Sequence, residues 1–204
     1  MPEHFQRVDE TDDAIFYAPP RIVRHIDDEA CEALARYYEA TLAPGADLLD
    51  LMSSCVSHLP VDVAYRSVTG LGMNQVELDA NARLDTRIVH DLNNDPVLPF
   101  PDRAFDACLI AVSVQYLTRP IEVFAEIARV LRPGGLVAVS FSNRCFPTKA
   151  VAIWHMLDND RHAQLVSLYI RDAGRFAPAR TIDLSPAPGE TDPLYVVEAR
   201  RLES

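Results

Sequence analysis

Glycine and cysteine are scarce in this chain, which has seven glycines and four cysteines among 204 residues. The cysteines form no Cys-x-x-Cys pair, so the sequence gives no zinc or redox signature, and we expect free thiols and no metal site. Gly70-Leu71-Gly72 lacks the third glycine of a dinucleotide-binding fingerprint and follows the wrong strand. The missing phosphate-cradling loop argues against a nicotinamide-dependent oxidoreductase.

Basic clusters, leader segments and long apolar runs are also missing. Nineteen basic residues face 30 acidic ones, and the formal net charge of −11 would repel a nucleic-acid backbone. No basic-then-apolar leader opens the chain, and no apolar run is long enough to span a bilayer. We therefore expect a cytoplasmic protein with a small-molecule substrate and no nucleic-acid or membrane partner. The oligomeric state is left open.

The chain does contain apolar runs that alternate with amphipathic segments. Short apolar runs predict strands at 47–51, 64–71, 87–90, 107–112, 136–141, 180–184 and 194–200. Helical patterns lie between them, at 28–42, 74–84, 120–131 and 147–173. This alternation predicts an α/β protein with a Rossmann-like, doubly wound, mostly parallel seven-stranded sheet and helices on both faces. In such a sheet, a ligand binds at the carboxyl ends of the strands.

Three segments in order carry a family resemblance. Asp91 precedes Leu98-Pro99-Phe100-Pro101, Phe105-Asp106 opens a strand, and Arg132-Pro133-Gly134-Gly135 forms the turn before the next strand. In this order and at this spacing, they resemble the core of class I S-adenosylmethionine-dependent methyltransferases of the type 11 group, over about residues 45–142. The resemblance implies S-adenosyl-L-methionine as cofactor, with residues 27–204 as the methyltransferase domain.

The resemblance also implies a set of cofactor contacts. Asp91 would accept a hydrogen bond from the adenine amino group, although a turn-capping aspartate is the alternative. Asp50, at the end of the first strand, would face the positive region of the cofactor or cap its own loop. The residues expected to bind the cofactor are Asp50, Met52, Ser53, Ser54, Gly72, Met73, Asn74, Asp91, Leu92, Val112 and Ser113.

Two positions depart from the family pattern. The loop after the first strand is normally glycine-rich, but here Met52, Ser54 and Val56 stand at the glycine positions. Met52 and Val56 cannot adopt a positive φ without strain, so either the loop takes a different path or the site is degraded. We still expect the loop to lie against the cofactor, with Ser53 and Ser54 nearest. The acidic residue that usually grips the ribose aligns with Gly72, and its nearest polar substitutes are Asn74 and Glu77.

The acceptor pocket is expected to lie between the chain's first segment and the segment after the fifth strand. Residues 1–26 are interpreted as an N-terminal arm placed to cover the active site. The residues expected to bind the acceptor are Tyr17, Arg21, Arg24, Tyr116, Asn143, Arg144, Lys149 and Trp154, and the candidate catalytic residues are Tyr17, His25 and Tyr116. Their mixed aromatic and cationic character favours a small, partly anionic acceptor.

Two hypotheses for function remain. The first is a methyltransferase that acts on a small acidic, amine, thiol or hydroxyl acceptor by in-line displacement. The second is a non-catalytic S-adenosylmethionine-binding sensor or subunit. The substituted loop and the missing ribose acid favour the second hypothesis, whereas Asp50 and Asp91 favour the first.

Overall fold

A single seven-stranded sheet organises the protein, and the computed structural model describes residues 3–203 of it. The strands are β1 (Asp47–Leu51), β2 (Ser67–Gly72), β3 (Thr86–Val89), β4 (Phe105–Ala111), β5 (Leu131–Phe141), β6 (Arg180–Asp183) and β7 (Tyr195–Arg200). Their order in the sheet is β3-β2-β1-β4-β5-β7-β6. All neighbours run parallel except β7, which is antiparallel to both β5 and β6. The order reverses at β1 and β4, where a doubly wound sheet opens a ligand crevice.

Helices cover both faces of the sheet. They are α1 (Asp13–Phe16), α2 (Asp28–Thr41), α3 (Gln75–Ala80), α4 (Pro120–Val130), α5 (Ala152–His155) and α6 (Asn159–Ala173), with short 3₁₀ turns at Glu3–Phe5 and Val114–Tyr116. Leu34 of α2 packs in one apolar core, and Phe124 of α4 packs in the other. Successive β1 residues point to opposite faces, so Leu48 joins the first core and Leu49 the second. The predicted fold class is therefore confirmed.

Several element boundaries differ from the sequence prediction. The strand β2 begins at Ser67 rather than at residue 64, and α3 ends at Ala80 rather than at residue 84. The strand β5 begins at Leu131, five residues earlier than predicted, because Phe105 still pairs with Leu131 across an irregularity in the ladder. The single helical stretch predicted for 147–173 is two helices, α5 and α6.

The connection between β1 and β2 contains no helix. Residues 52–66 form turns and irregular chain, although parallel strands are usually joined through a helix. Their composition explains this, because serines, β-branched valines and Pro60 are weak helix formers. Side-chain hydrogen bonds hold the segment instead, and they place it at the carboxyl end of the sheet.

The N-terminal arm is docked against the segment that follows β5. The Asp9 amide donates to the Thr148 carbonyl at 2.9 Å, and the Ala152 amide donates to the Gln6 carbonyl at 2.8 Å. Lys149, the only lysine in the sequence, is completely buried beneath the arm. Its Nζ donates to the Thr11 carbonyl at 2.6 Å and lies 3.0 Å from Asp13 Oδ1. The arm is therefore fixed by a buried ion pair as well as by backbone bonds.

Candidate active site

A cavity of about 320 Å³ opens at the carboxyl ends of β1, β2 and β4, beneath the N-terminal arm. All eleven residues predicted to bind the cofactor line it. So do the three candidate catalytic residues and Arg21, Arg24 and Arg144. The size is within the range of small-molecule sites. The strand ends and the arm thus bring most of the predicted residues to one place.

The loop after β1 is held by the carboxylate that ends the strand. Asp50 Oδ2 accepts hydrogen bonds from the hydroxyls of Ser53 and Ser57, both at 2.6 Å. The Asn81 amide donates to Ser57 Oγ at 2.8 Å and to the Ser54 carbonyl at 3.0 Å. Asp50 is fully buried, and burial raises its pKa to about 6, although the two serine hydroxyls oppose that shift. The hydroxyls of Ser53 and Ser57 therefore hold this loop in place, at the position where the resembling family has a glycine-rich loop.

Three residues that line the cavity have a left-handed backbone. Met52 has a φ of 58°, His58 a φ of 53° and Val112 a φ of 52°. Met52 adopts the positive φ that the sequence interpretation associated with strain, whereas Val56 does not. A β-branched residue such as Val112 rarely adopts this conformation, and each such residue costs on the order of 1–3 kcal/mol. Strain of this kind is concentrated at ligand sites, and here all three strained residues flank the same cavity.

Sterics explain why no acidic side chain stands at the end of β2. A Cβ at Gly72 would lie 2.1 Å from the Ser53 carbonyl oxygen, so no side chain fits there. The loop reaches this position because the Ser53 amide donates to the Leu71 carbonyl at 2.8 Å. The position of the loop after β1 and the absence of an acidic side chain at residue 72 therefore have one cause, which is the close packing of Ser53 against the end of β2.

The two polar substitutes at this edge differ in spare hydrogen-bonding capacity. Asn74 caps α3 through its oxygen, and its amide donates to the carbonyls of Tyr17 and Ala18 at 2.8 and 3.0 Å. Glu77 accepts from the Arg21 amide at 2.7 Å and from Ser54 Oγ at 2.6 Å, one donor on each oxygen. A carboxylate has about four acceptor positions, so Glu77 retains two. Asn74 serves as the helix cap and holds the arm, whereas Glu77 can take further donors.

Asp91 combines a turn cap with an available oxygen. Its Oδ1 accepts from the amides of Asn93 and Asn94 at 2.9 and 3.3 Å. Its Oδ2 has no hydrogen-bond partner within residues 3–203, and the residue lines the cavity. Ser113 Oγ is likewise buried without a partner among the described residues. These atoms provide an acceptor and a hydroxyl for a bound ligand.

Aromatic and cationic side chains form the wall opposite the strands. Phe146 stacks on Tyr116 with a centroid separation of 5.8 Å and meets Phe16 edge-on at 5.6 Å. The Arg21 guanidinium lies 4.7 Å from the Phe16 ring centroid and 5.0 Å from that of Phe146. The Phe146 amide donates to Tyr116 Oη at 2.8 Å, which fixes the ring pair. The N-terminal arm and the segment after β5 therefore build this wall together.

Burial changes the proton affinity of the three candidate catalytic residues. It raises the pKa of Tyr17 far above its usual range and the pKa of Tyr116 to about 12, so both phenols are protonated at neutral pH. Burial lowers the pKa of His25, against the opposing charge of Glu77, so His25 is neutral at pH 7. Among the three, His25 alone has a free base form under ordinary conditions.

Three residues predicted to bind the acceptor do not line the cavity. Lys149 is turned into the protein by its bonds to the arm, and Asn143 is exposed. Trp154 is a core residue, with its ring stacked on His162 at 3.8 Å and edge-on to Phe141. The expectation that Trp154 binds the acceptor is therefore wrong, because its ring is buried in the apolar core.

Several lining residues were not singled out from the sequence. They include Asp13, Leu71, His90, Asn93 and Cys145. Asp13 and Asn93 meet only in the folded chain, where the Asn93 amide donates to Asp13 at 2.9 Å. Phe146 lies in the segment after β5 that was expected to frame the acceptor pocket, and it lines the cavity.

Two further observations concern metal binding and membrane crossing. Within residues 3–203, no three His, Cys, Asp or Glu side chains are grouped as a metal site. Over the same residues, no helix combines the length and apolarity needed to cross a membrane.

Sequence comparisons connect the chain to a family. Residues 51–139 match the sequence model of the family described as "Methyltransferase domain". The biotin biosynthesis bifunctional protein BioHC of Teredinibacter turnerae is 35% identical over 65 residues, which is 32% of this chain and 11% of that protein. The ubiquinone/menaquinone biosynthesis C-methyltransferase UbiE of Shewanella sediminis is 30% identical over 110 residues, 48% of this chain and 44% of that protein. The chain thus spans less than half the length of these relatives.

Solved structures share the fold. A structure described as the [4+2]-cyclase SpnF has a TM-score of 0.64 at 19% identity and covers 91% of this chain and 90% of its own. A phosphoethanolamine N-methyltransferase of Haemonchus contortus, in complex with S-adenosyl-L-methionine, has a TM-score of 0.59 at 13% identity. The match covers 83% of this chain and 52% of that protein. Residues 51–139 are therefore similar to the methyltransferase domain family, and the chain shares the fold of these solved structures.

Proposed function

We propose that the protein transfers the methyl group of S-adenosyl-L-methionine to a small-molecule acceptor. The observation that supports this most directly is the single cavity that collects all eleven predicted cofactor residues under the aromatic wall. The cofactor supplies an electrophilic methyl group on a sulfonium, and the protein's task is to align the acceptor with it and to exclude water. The strand-end loops would hold the cofactor, and the N-terminal arm would close over the acceptor.

The residues present fit the cofactor. Asp91 Oδ2 is an unpartnered acceptor at the position that implies an adenine contact, and Asp50 provides a carboxylate beneath the loop. His25 is the residue proposed to accept a proton when the acceptor has to lose one, since it is neutral at pH 7 and lines the cavity. A relative whose name specifies ubiquinone/menaquinone biosynthesis supports a small-molecule acceptor.

Direct methyl transfer tests this proposal. The protein is incubated with methyl-labelled S-adenosylmethionine and a metabolite extract, and labelled products are identified by mass spectrometry. A labelled small molecule together with S-adenosylhomocysteine is the expected result. Cofactor binding without turnover on any extract would instead favour a sensor or subunit, a function that the strained loop also fits.

Asp91→Ala is expected to weaken binding of S-adenosylhomocysteine. Loss of a hydrogen bond to an ionised acceptor costs about 1.5–3 kcal/mol, so the dissociation constant should rise by at least about tenfold. Isothermal titration calorimetry measures the change. Asp95→Ala is the matched control, because Asp95 caps the same loop through the Val97 amide but does not line the cavity. Equal affinities for the two variants would show that Asp91 makes no adenine contact.

Glu77→Gln is expected to reduce the protein's preference for a ribose over a 2′-deoxyribose cofactor. Glu77 is the carboxylate with spare acceptor positions at the edge where Gly72 leaves no side chain. Wild-type protein should bind S-adenosylhomocysteine about tenfold more tightly than its 2′-deoxy analogue, and the variant should bind both alike. Asp79→Asn, an exposed position on the same helix, should retain the wild-type preference. An unchanged preference in Glu77→Gln would place the ribose elsewhere.

A further inference from the structure

We infer that the acceptor carries a carboxylate and that Arg21 is the residue that binds it. This inference rests on the proposed methyl transfer, because it concerns the second ligand of the same cavity. It starts from the cationic side chains around the cavity. Arg21, Arg24 and Arg144 line it, together with the carboxylates of Asp13, Asp50, Glu77 and Asp91.

Arg21 differs from the other two arginines in its partners. Arg24 is paired with Asp28, and Arg144 Nε lies 2.8 Å from Asp192. The Arg21 guanidinium has no carboxylate within ion-pair distance among residues 3–203. It donates only to the carbonyls of Pro19 and Phe16, at 3.3 and 3.1 Å. Its charge is therefore the one that is left uncompensated among these three lining arginines.

Arg21 also has free donors in a fixed orientation. A guanidinium has five N–H groups, and two are used by the carbonyls, so three remain. The Arg21 backbone is fixed because its amide donates to Glu77, and its head is packed against Phe16 and Phe146. A planar cation held in this way matches the planar, two-oxygen geometry of a carboxylate.

The neighbours of Arg21 indicate what the rest of the acceptor is like. Phe16, Tyr17, Tyr116 and Phe146 are packed edge to face or stacked around one another. Tyr17, Tyr116 and Phe146 line the cavity and provide apolar contact for a planar body. The carboxylate of Glu77 accepts from the Arg21 amide and from Ser54 Oγ, not from the Arg21 guanidinium. The nearby carboxylate Asp13 is already shared by Arg7, with contacts of 2.7 and 2.8 Å, and by Lys149. The aromatic side chains and the uncompensated charge of Arg21 therefore favour an aromatic or apolar acceptor that carries one anionic group.

Benzoate and its neutral analogue benzamide test the inference. Both are titrated into protein saturated with S-adenosylhomocysteine, and binding is followed by ligand-observed NMR. Wild-type protein should bind benzoate about tenfold more tightly than benzamide, the effect expected of hydrogen bonds between charged groups. Arg21→Gln should bind the two alike, Arg21→Lys should keep part of the preference, and Arg36→Gln, at an exposed position outside the cavity, should keep all of it. Arg24→Gln tests the rival assignment to the neighbouring arginine.

Three results of the benzoate titration would overturn the inference. They are the absence of a benzoate preference in wild-type protein, a preference that survives in Arg21→Gln, and a preference that is lost in Arg24→Gln instead. Affinity for S-adenosylhomocysteine is measured in every variant and should stay within about twofold of wild type. A large loss in Arg21→Gln would assign Arg21 to the carboxylate of the cofactor and would also overturn the inference. Failure of the wild-type protein to bind S-adenosylhomocysteine would count against the proposed function, and benzoate binding can then still be measured without it.

Discussion

Lys149→Met is expected to destabilise the protein by about 3–5 kcal/mol and to release the N-terminal arm. The lysine is completely buried, 3.0 Å from Asp13 and hydrogen-bonded to the Thr11 carbonyl at 2.6 Å. Removing one member of a buried ion pair leaves the other with less compensation, and Asp13 would depend on Arg7 and Asn93 alone. Urea unfolding measures the loss in the free energy of unfolding.

Release of the arm can be followed separately by limited trypsin digestion. The Arg7 side chain is 8% exposed, so cleavage after it should be slow in wild-type protein and fast in Lys149→Met. Arg36→Met is the matched control, since it removes an exposed ion pair with Glu32, and it should cost less than about 1 kcal/mol. A stable Lys149→Met variant with a protected arm would show that backbone bonds alone hold the arm.

Asp50→Asn is expected to stabilise the cofactor-free protein above pH 6. The ordinary pKa of this carboxyl, 3.8, is raised to about 6 in the folded state by burial. Between these values the folded protein holds a proton that the unfolded chain releases, so ionised Asp50 lowers stability as pH rises. The cost reaches about 3 kcal/mol above pH 6 and vanishes below about pH 4. The asparagine keeps an oxygen for the hydroxyls of Ser53 and Ser57 and removes the buried charge.

The same substitution is expected to weaken cofactor binding. If Asp50 compensates the positive region of S-adenosylmethionine, the variant should bind it at least about tenfold more weakly at pH 8. Unfolding and calorimetry are repeated from pH 4 to pH 8, and the difference between variant and wild type isolates the contribution of Asp50. Asp62→Asn, at an exposed position in the β1–β2 connection, should alter stability by less than about 0.5 kcal/mol. A stability difference between Asp50→Asn and wild type that does not change with pH would contradict the raised pKa of Asp50.

The elements that the sequence predicted well are those with local causes. The strand β1 has the predicted bounds, Asp47–Leu51, because its apolar side chains are buried on both faces. The helical pattern predicted from residue 74 begins where Asn74 caps α3, and this cap needs only the amides of Val76 and Glu77. The grouping of the predicted cofactor residues around one cavity agrees with the rule that strand ends meet at one edge of the sheet.

The remaining features depend on contacts between distant segments. Lys149 was expected in the acceptor pocket, but Thr11 and Asp13, more than 130 residues away, turn it inward. The left-handed Met52 and the bare Gly72 follow from how the β1 loop packs against β2. Local propensity disfavours a positive φ at methionine, and the hydrogen bonds of Ser53 and Ser57 to Asp50 supply the tertiary support.

The most direct test of the account is a crystal structure of the protein with S-adenosylhomocysteine. We expect the adenine amino group within hydrogen-bond distance of Asp91 Oδ2 and the ribose at the edge formed by Gly72 and Glu77. The thioether sulfur should face the wall of Tyr116 and Phe146 beneath a closed arm. A ligand bound outside this cavity, or a structure in which the loop of residues 52–58 turns away from it, would contradict the account.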